Sequence, residues 1–199
     1  MSDALAPWPL VIGGAMDGST CRRVRASMDA GEVEDAEVLE AAPEPERIGE
    51  ARADVRRARY VDVPEEVLDV VGDRLDAQRQ AIEAFFGCAL AGREGPGLIR
   101  YETGGFYRRH VDRTDTPSWP GAARRAVTVI LFLASAREAD PSGAFSGGAL
   151  RLHLQGADAP VEIVPVQGTL VAFPADTPHE VMPVTDGRRD AAVDWFYDA

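Results

Sequence analysis

His110-Val111-Asp112 and, far downstream, His179 and Arg189 are the residues of this chain whose types and spacing point to chemistry. In an extended segment side chains alternate between two faces, so His110 and Asp112 point the same way and can share one metal ion. A third ligand must then come from another strand. The chain holds 3 histidines, and His179 opens a strand-like run after the turn-like Pro174-Ala-Asp-Thr-Pro178. Two histidines and one carboxylate on one face of a metal leave the opposite positions open, the arrangement in which non-haem Fe(II) handles oxygen. Arg189 could hold the far carboxylate of a dicarboxylate cosubstrate.

Each residue also has a plainer reading. H-x-D alone is a weak signal, and His110 with Asp112 could be a hydrogen-bonded surface pair. His179 could be a turn residue satisfied by backbone. In Arg188-Arg189-Asp190-Ala191-Ala192-Val193-Asp194-Trp195, alternation puts Arg189, Ala191, Val193 and Trp195 on one face. That face is apolar except for one arginine, and a buried guanidinium needs an anionic partner, which it can grip with two parallel hydrogen bonds. The alternative makes Arg189 an exposed strand-end residue with Arg188 inward; the register favours Arg189. His153, in LRLHLQG, reads as structural or exposed, and Gly147-Gly148 as a tight turn. Trp119, Arg124 and Arg125 read as a solvated loop in preference to substrate contacts. No glycine-rich phosphate loop, Ser–His–Asp order or CxxC motif competes.

Positioning these residues requires a scaffold of strands. From residue 97 onward GLIRYETGG, FYRRHVD, RRAVTVILFLA, GALRLHL, VEIVPVQGTLVAF, HEVMPV and RRDAAVDWFYD follow one another, punctuated by glycine and proline. Many short strands at such spacing suggest a double-sheet jelly roll or barrel. Upstream, PLVIGG reads as a short strand. Asp17 or Ser19 could cap a helix to about Ala30, with Cys21, Val24 and Met28 on one stripe. Residues 31–59 are charged and poorly periodic. Strand pairing is expected around Ala36–Leu39 and Ala58–Val63, with a mobile loop about Pro43 and Pro45. Pro64 starts one helix ending at Gly87, whose stripe Val67, Val70, Val71, Leu75, Ile82, Phe85 and Phe86 is assigned to the core. The whole, residues 1–199, reads as one domain: helical support over about 1–95 and a jelly-roll core over about 96–199. The fold class is mainly β with flanking helices (α+β).

Composition narrows the function. A hydrophobic fraction of 45% with 27% charged residues is that of a globular chain. The formal net charge of −12 argues against nucleic acid as partner, and no apolar run approaches the roughly 20 residues that span a bilayer. The first residues lack the basic segment of a signal peptide. Cys21 and Cys88, far apart, suit a reducing cytoplasm better than a disulfide framework. All 21 cationic residues are arginine, which fits a GC-rich genome better than a mechanism.

The segments LIRYETGGFYRRHVDR, RRAVTVILFLA, SGGALRLH, GTLVAFPADTPHEVMPVTDGRR and AAVDWFY, in this order and spacing, resemble the Fe(II)/2-oxoglutarate-dependent dioxygenases of the prolyl 4-hydroxylase type. The resemblance covers roughly residues 97–197, and more weakly the helix from Pro64. It implies a double-stranded β-helix buttressed by N-terminal helices, with His110, Asp112 and His179 as iron ligands. It implies Arg189 on the 5-carboxylate of 2-oxoglutarate, and Tyr101 lining the cosubstrate pocket. The implied cofactors are Fe(II), 2-oxoglutarate and O2, with ascorbate as a candidate reductant. The implied reaction hydroxylates a prolyl residue of a protein or peptide and yields succinate and CO2. A free amino acid or small metabolite is the alternative substrate. A cupin-like metalloenzyme, or a non-catalytic binding module on the same fold, is the alternative function; an inward Arg189 disfavours the first and an intact ligand set the second. About Ala41 to Arg59, relatives carry a mobile substrate-covering loop. Phe132 and Val193 depart from the pattern, standing where some relatives place a tyrosine and a threonine on the cosubstrate carboxylate. The grip on that carboxylate therefore rests more heavily on Arg189.

Overall fold

The computed structural model describes residues 8–36, 53–115 and 120–199. Its elements, in chain order, begin with β1 (Leu10–Ile12), α1 (Gly18–Ala30), β2 (Val33–Asp35), β3 (Arg56–Arg57) and β4 (Arg59–Val61). Next come α2 (Glu65–Asp76), α3 (Arg79–Phe86), β5 (Leu90–Arg93), β6 (Gly97–Glu102) and β7 (Phe106–His110). A 3-10 turn (Ala122–Arg124) leads to β8 (Arg125–Phe132), β9 (Phe145–Gly147), β10 (Leu150–Leu152) and β11 (Val161–Ile163). The chain closes with β12 (Leu170–Pro174), β13 (His179–Val181) and β14 (Val184–Asp198).

The strands form two antiparallel sheets. The major sheet runs β1-β12-β8-β14-β6-β4-β2, with β5 and β9 also pairing with β14; the minor sheet runs β11-β10-β13-β7-β3. Alternation along the major strands divides their side chains between two cores. Leu98, Val127, Val129, Leu131, Ala192 and Phe196 face the helices, where Cys21, Val24 and Met28 of α1, Val71 and Leu75 of α2, and Ile82 and Phe86 of α3 meet them. Ile99, Tyr101, Ile130, Phe132 and Ala191 face the minor sheet and its Tyr107, Leu150, Leu152 and Val181. This is the jelly roll with helical support that the strand spacing suggests. Among the described residues no helix is long and apolar enough to cross a membrane.

The N-terminal half differs from expectation in detail. Asp17 caps α1, accepting the Thr20 amide at 2.9 Å. The single helix after Pro64 is two: Pro64 caps α2, and the chain breaks at Ala77-Gln78 before α3, with Gln78 near φ −94°, ψ −8°. Val67, Val71 and Leu75 keep an i, i+4 stripe, but Val70 falls off it and the break turns Phe85 outward, so both are exposed. Gly87 ends α3 in the left-handed conformation, φ 65°. The strand pair lies three residues earlier than expected on one side: Val33 pairs with Val61 and Asp35 with Arg59. The sequence there lacks a period that would fix register. Pro43, Pro45 and Leu39 lie outside the described residues. The end of the expected covering loop is instead sheet, with Arg56 pairing to Tyr107.

Candidate functional site

β7 and β13 lie side by side in the minor sheet with His110 opposite His179. The chain then bends out of β7, and the amides of Asp112 and Arg113 both donate to the Ala175 carbonyl at 2.9 Å. That bend brings Asp112 against both imidazoles: its Oδ1 lies 3.6 Å from His110 Nε2, its Oδ2 3.5 Å from His179 Nε2. One ligand atom from each residue falls within 4.8 Å of the others, a cluster able to hold a metal ion.

The surroundings prepare these atoms as ligands. His110 Nδ1 meets the Arg108 carbonyl at 2.8 Å, and His179 Nδ1 meets the Thr177 carbonyl at 2.9 Å. A carbonyl only accepts, so each Nδ1 carries the proton and each Nε2 presents its lone pair to the cluster. Burial and the nearby His179 push the His110 pKa well below its usual 6.5, which keeps the ring neutral. Burial opposes charge on Asp112. The facing His179 and His110 outweigh it, aided by the approaching Trp195 indole and the Thr128 hydroxyl, and the carboxyl titrates below its usual value. Thr128 Oγ1 donates to Asp112 Oδ2 at 2.7 Å, whereas Trp195 Nε1 makes no bond of full hydrogen-bond geometry among the described residues.

A cavity of about 300 Å³ opens onto the cluster, lined by His110, Asp112 and His179 together with Tyr101 and Arg189. Arg189, Ala191, Val193 and Trp195 all line it, as the alternation along β14 requires. Arg189 is 2% exposed. Its Nε donates to the Gly148 carbonyl at 2.9 Å, while Nη2 is buried without a partner among the described residues. The rings of Tyr101 and Phe132 stand 5.1 and 5.3 Å from the guanidinium carbon. Burial pulls its pKa down. A cation held dry with an unused donor fits an incoming carboxylate, and Phe132 and Val193 offer no hydroxyl to share it.

The structure gives further residues roles that sequence reasoning missed. Arg125 is not in a solvated loop: it is buried, forks onto Glu94 at 2.6 and 2.8 Å and donates to the Asp112 carbonyl at 3.1 Å. Its guanidinium carbon lies 3.6 Å from the Trp195 ring centroid. Alternation would turn it toward the helices with Val127, but the ladder shifts between Phe196 and Tyr197 and re-aims it into the cavity. Arg124 instead covers Tyr197 outside the cavity, and Trp119 lies outside the described residues. Gly148, φ 64°, supplies the carbonyl that orients Arg189, at a point where a Cβ would come within 2.9 Å of Arg189 Cδ. Arg56 also lines the cavity; only its alternation with buried Ala58 in VRRAR hinted at this. His153 lies outside the cavity and bonds Glu180 at 3.0 Å.

Comparison with known proteins agrees with this geometry. Over 98 residues the chain is 37% identical to a PKHD-type hydroxylase of Sphingopyxis alaskensis, covering 49% of this chain and 41% of that one. Over 142 residues it is 28% identical to a PKHD-type hydroxylase of Shewanella oneidensis, covering 71% and 60%. The chain thus spans about two fifths to three fifths of the length of these relatives. Its fold matches a Pseudomonas putida prolyl-4-hydroxylase with a TM-score of 0.70 at 26% identity, covering 96% of this chain and 92% of that one. It also matches a Trichoplax adhaerens prolyl hydroxylase, solved with a hypoxia inducible factor peptide fragment, with a TM-score of 0.74 at 19% identity; coverage is 96% and 83%. The family model of the 2OG-Fe(II) oxygenase superfamily matches residues 96–197. With the His-Asp-His cluster and the dry arginine inside that span, the chain belongs to the 2OG-Fe(II) oxygenase superfamily.

Proposed function

We propose that this protein is an Fe(II)- and 2-oxoglutarate-dependent hydroxylase of a prolyl residue in a protein or peptide, working as one domain over residues 1–199 in the cytoplasm. His110, Asp112 and His179 would hold the iron, and Arg189, with Tyr101 beside it, the 5-carboxylate of 2-oxoglutarate. The observation that carries the reading is that Nη2 of buried Arg189, in the same cavity as the His-Asp-His cluster, has no partner among the described residues. A cupin-like metal site has no use for such a cation. When bound, the iron, the cosubstrate and O2 together would supply the oxidising power for hydroxylation, with one oxygen atom going to the C–H bond, the other to succinate, and CO2 released.

This chain's own residues bind and orient. The Nδ1–H bonds of His110 and His179 set the tautomer that turns Nε2 of each ring to the cluster. Thr128 holds one carboxylate oxygen of Asp112, and Arg125 holds its backbone carbonyl. Ile99, Ile130, Val181 and Val193 give the cavity an apolar lining, and low local polarity strengthens the pairing of Arg189 with a carboxylate. A prolyl substrate is favoured by the likeness to the Pseudomonas putida prolyl-4-hydroxylase, and the Trichoplax protein, solved with a peptide fragment, supports a peptide.

The test is an anaerobic visible spectrum of the protein with Fe(II), then with 2-oxoglutarate, followed by aerobic screening of proline-containing peptides with ascorbate present. A charge-transfer band on adding 2-oxoglutarate, and peptide-dependent succinate with one oxygen gained by the peptide, are expected. Iron uptake without the band would favour the cupin-like enzyme, and no iron uptake a binding module. Succinate formation stimulated by free proline and not by peptides would replace the substrate assignment.

A further inference from the structure

We infer that Arg56 is a positioning residue for the metal site, acting through Tyr107 on the imidazole of His110; the inference rests on the iron reading above. The two sit opposite each other across β3 and β7, so their side chains share a face of the minor sheet. Arg56 is 9% exposed and lines the cavity of the His-Asp-His cluster.

The Tyr107 ring stacks on the His110 imidazole, centroids 3.4 Å apart and planes 19° from parallel. So close an overlap covers one whole face of the phenol. The Arg56 guanidinium carbon, 4.5 Å from the Tyr107 centroid, therefore uses the opposite face. The result is a stack of guanidinium, phenol and imidazole that ends on a metal ligand. Arg56 is anchored in turn on β4 of the major sheet. Its Nη2 reaches the Tyr60 hydroxyl at 3.4 Å, and its guanidinium carbon lies 5.1 Å from the Tyr60 centroid.

His110 needs such a support. Its bond from Nδ1 to the Arg108 carbonyl fixes one point of the ring but not its plane. On the side of the cluster the His179 ring lies 4.1 Å away and tilted by 53°, which does not hold the plane either. Tyr107 does, provided Tyr107 itself cannot tip. A planar cation stacked on its outer face prevents that, because guanidinium groups both attract and lie flat on aromatic faces.

Co(II) binding tests this without turnover, since its visible spectrum reports ligand geometry. Arg56→Met is expected to weaken Co(II) binding about tenfold and to alter the spectrum, the size of loss typical when a group orienting a ligand is removed. Arg56→Lys keeps a cation over the ring and should stay within about threefold of wild type. Exposed Arg57→Met should match wild type. Tyr107→Leu should lose as much as Arg56→Met, and the double variant should be no worse than Tyr107→Leu alone, because both act through one stack. Should Arg56→Met not fold, as judged by urea unfolding, Arg56→Gln takes its place with the same expected loss. Wild-type affinity and spectrum in the charge-removing variant, equal losses for Lys and Met, or additive losses in the double variant would each overturn the role. Wild-type protein that takes up no Co(II) would instead sink the iron reading, and this inference with it.

Discussion

Replacing Arg189 by methionine should separate what the residue does for the fold from what it does for the cosubstrate. The guanidinium is buried, its Nε on the Gly148 carbonyl at 2.9 Å and its Nη2 without a partner among the described residues. An unsatisfied buried donor costs about 1–3 kcal/mol. Methionine fills similar space and removes that cost, but strands the Gly148 carbonyl, at about 1 kcal/mol. Ligand-free Arg189→Met should thus match wild-type stability or exceed it by up to about 2 kcal/mol. Ligand binding should respond in the opposite direction. Losing one partner of a buried charged pair costs about 2–5 kcal/mol, which is a roughly 30- to several-thousand-fold weaker 2-oxoglutarate affinity. At 2-oxoglutarate about a hundredfold above the wild-type Kd, binding stabilises the fold by about 2.7 kcal/mol, or roughly 5–10 °C in Tm for a chain of this size. In the variant, at the same concentration, less than about 1 kcal/mol remains. Thermal unfolding of the metal-loaded protein under nitrogen, with and without 2-oxoglutarate, measures both quantities. A variant that loses more than about 3 kcal/mol without ligand, yet keeps the full 2-oxoglutarate shift, would show that Arg189 is structural and refute the reasoning.

Two other perturbations probe the supports around the site. Gly148→Ala places a Cβ 2.9 Å from Arg189 Cδ and 3.1 Å from Phe145 Cε2, at φ 64°. It should cost about 2–4 kcal/mol in urea unfolding and raise the KM for 2-oxoglutarate; a stable variant with unchanged KM would mean the turn does not orient Arg189. Hydrogen bonds from Ser19 and Thr20 hold the Asp17 carboxyl well below its ordinary 3.8. Its folded pKa is depressed, so its contribution is present above 3.8 and lost as pH falls through the lowered value. The gap in urea midpoint between wild type and Asp17→Asn should therefore be constant well above pH 3.8 and shrink below it. A gap that stays constant into acid would show that the cap does not depend on charge.

The core strands were legible because each carries its own period. GLIRYE alternates so that Leu98 faces the helices and Ile99 the cavity, and the same rule put Arg189 inward from sequence alone. The histidines were legible through scarcity and spacing. What could not be read depended on departures from regular structure. Arg125 points into the cavity because a register shift overrides the alternation of β8. The helix after Pro64 breaks at Ala77-Gln78, where neither glycine nor proline marks the break. Arg56 lies in a run of arginines whose pairing is decided by β7, about fifty residues away.

The alternation of β14 also explains why a site between two sheets needs helices on the far side. The residues between the cavity-facing positions are Asp190, Ala192 and Asp194, all buried, and two of the three are carboxylates. Arg100 Nε and Arg25 Nε hold Asp190 at 2.7 and 3.0 Å, and Arg25 belongs to α1. Arg100 also reaches Asp29 of α1 at 2.9 Å. Arg93 holds Asp194 at 2.7 Å and reaches Asp76 of α2 at 3.2 Å. Buried ion pairs add little net stability compared with apolar packing. They do resist sliding, because displacing either carboxylate by one residue would strand a charge in the core and turn Arg189 to the wrong face. The helices thus clamp the register of the strand that carries Arg189, the residue proposed to hold the cosubstrate. Of the two clamps, the one at Asp190 is adjacent to Arg189 and joined to α1 by two arginines, which makes it the stronger constraint on where that guanidinium points.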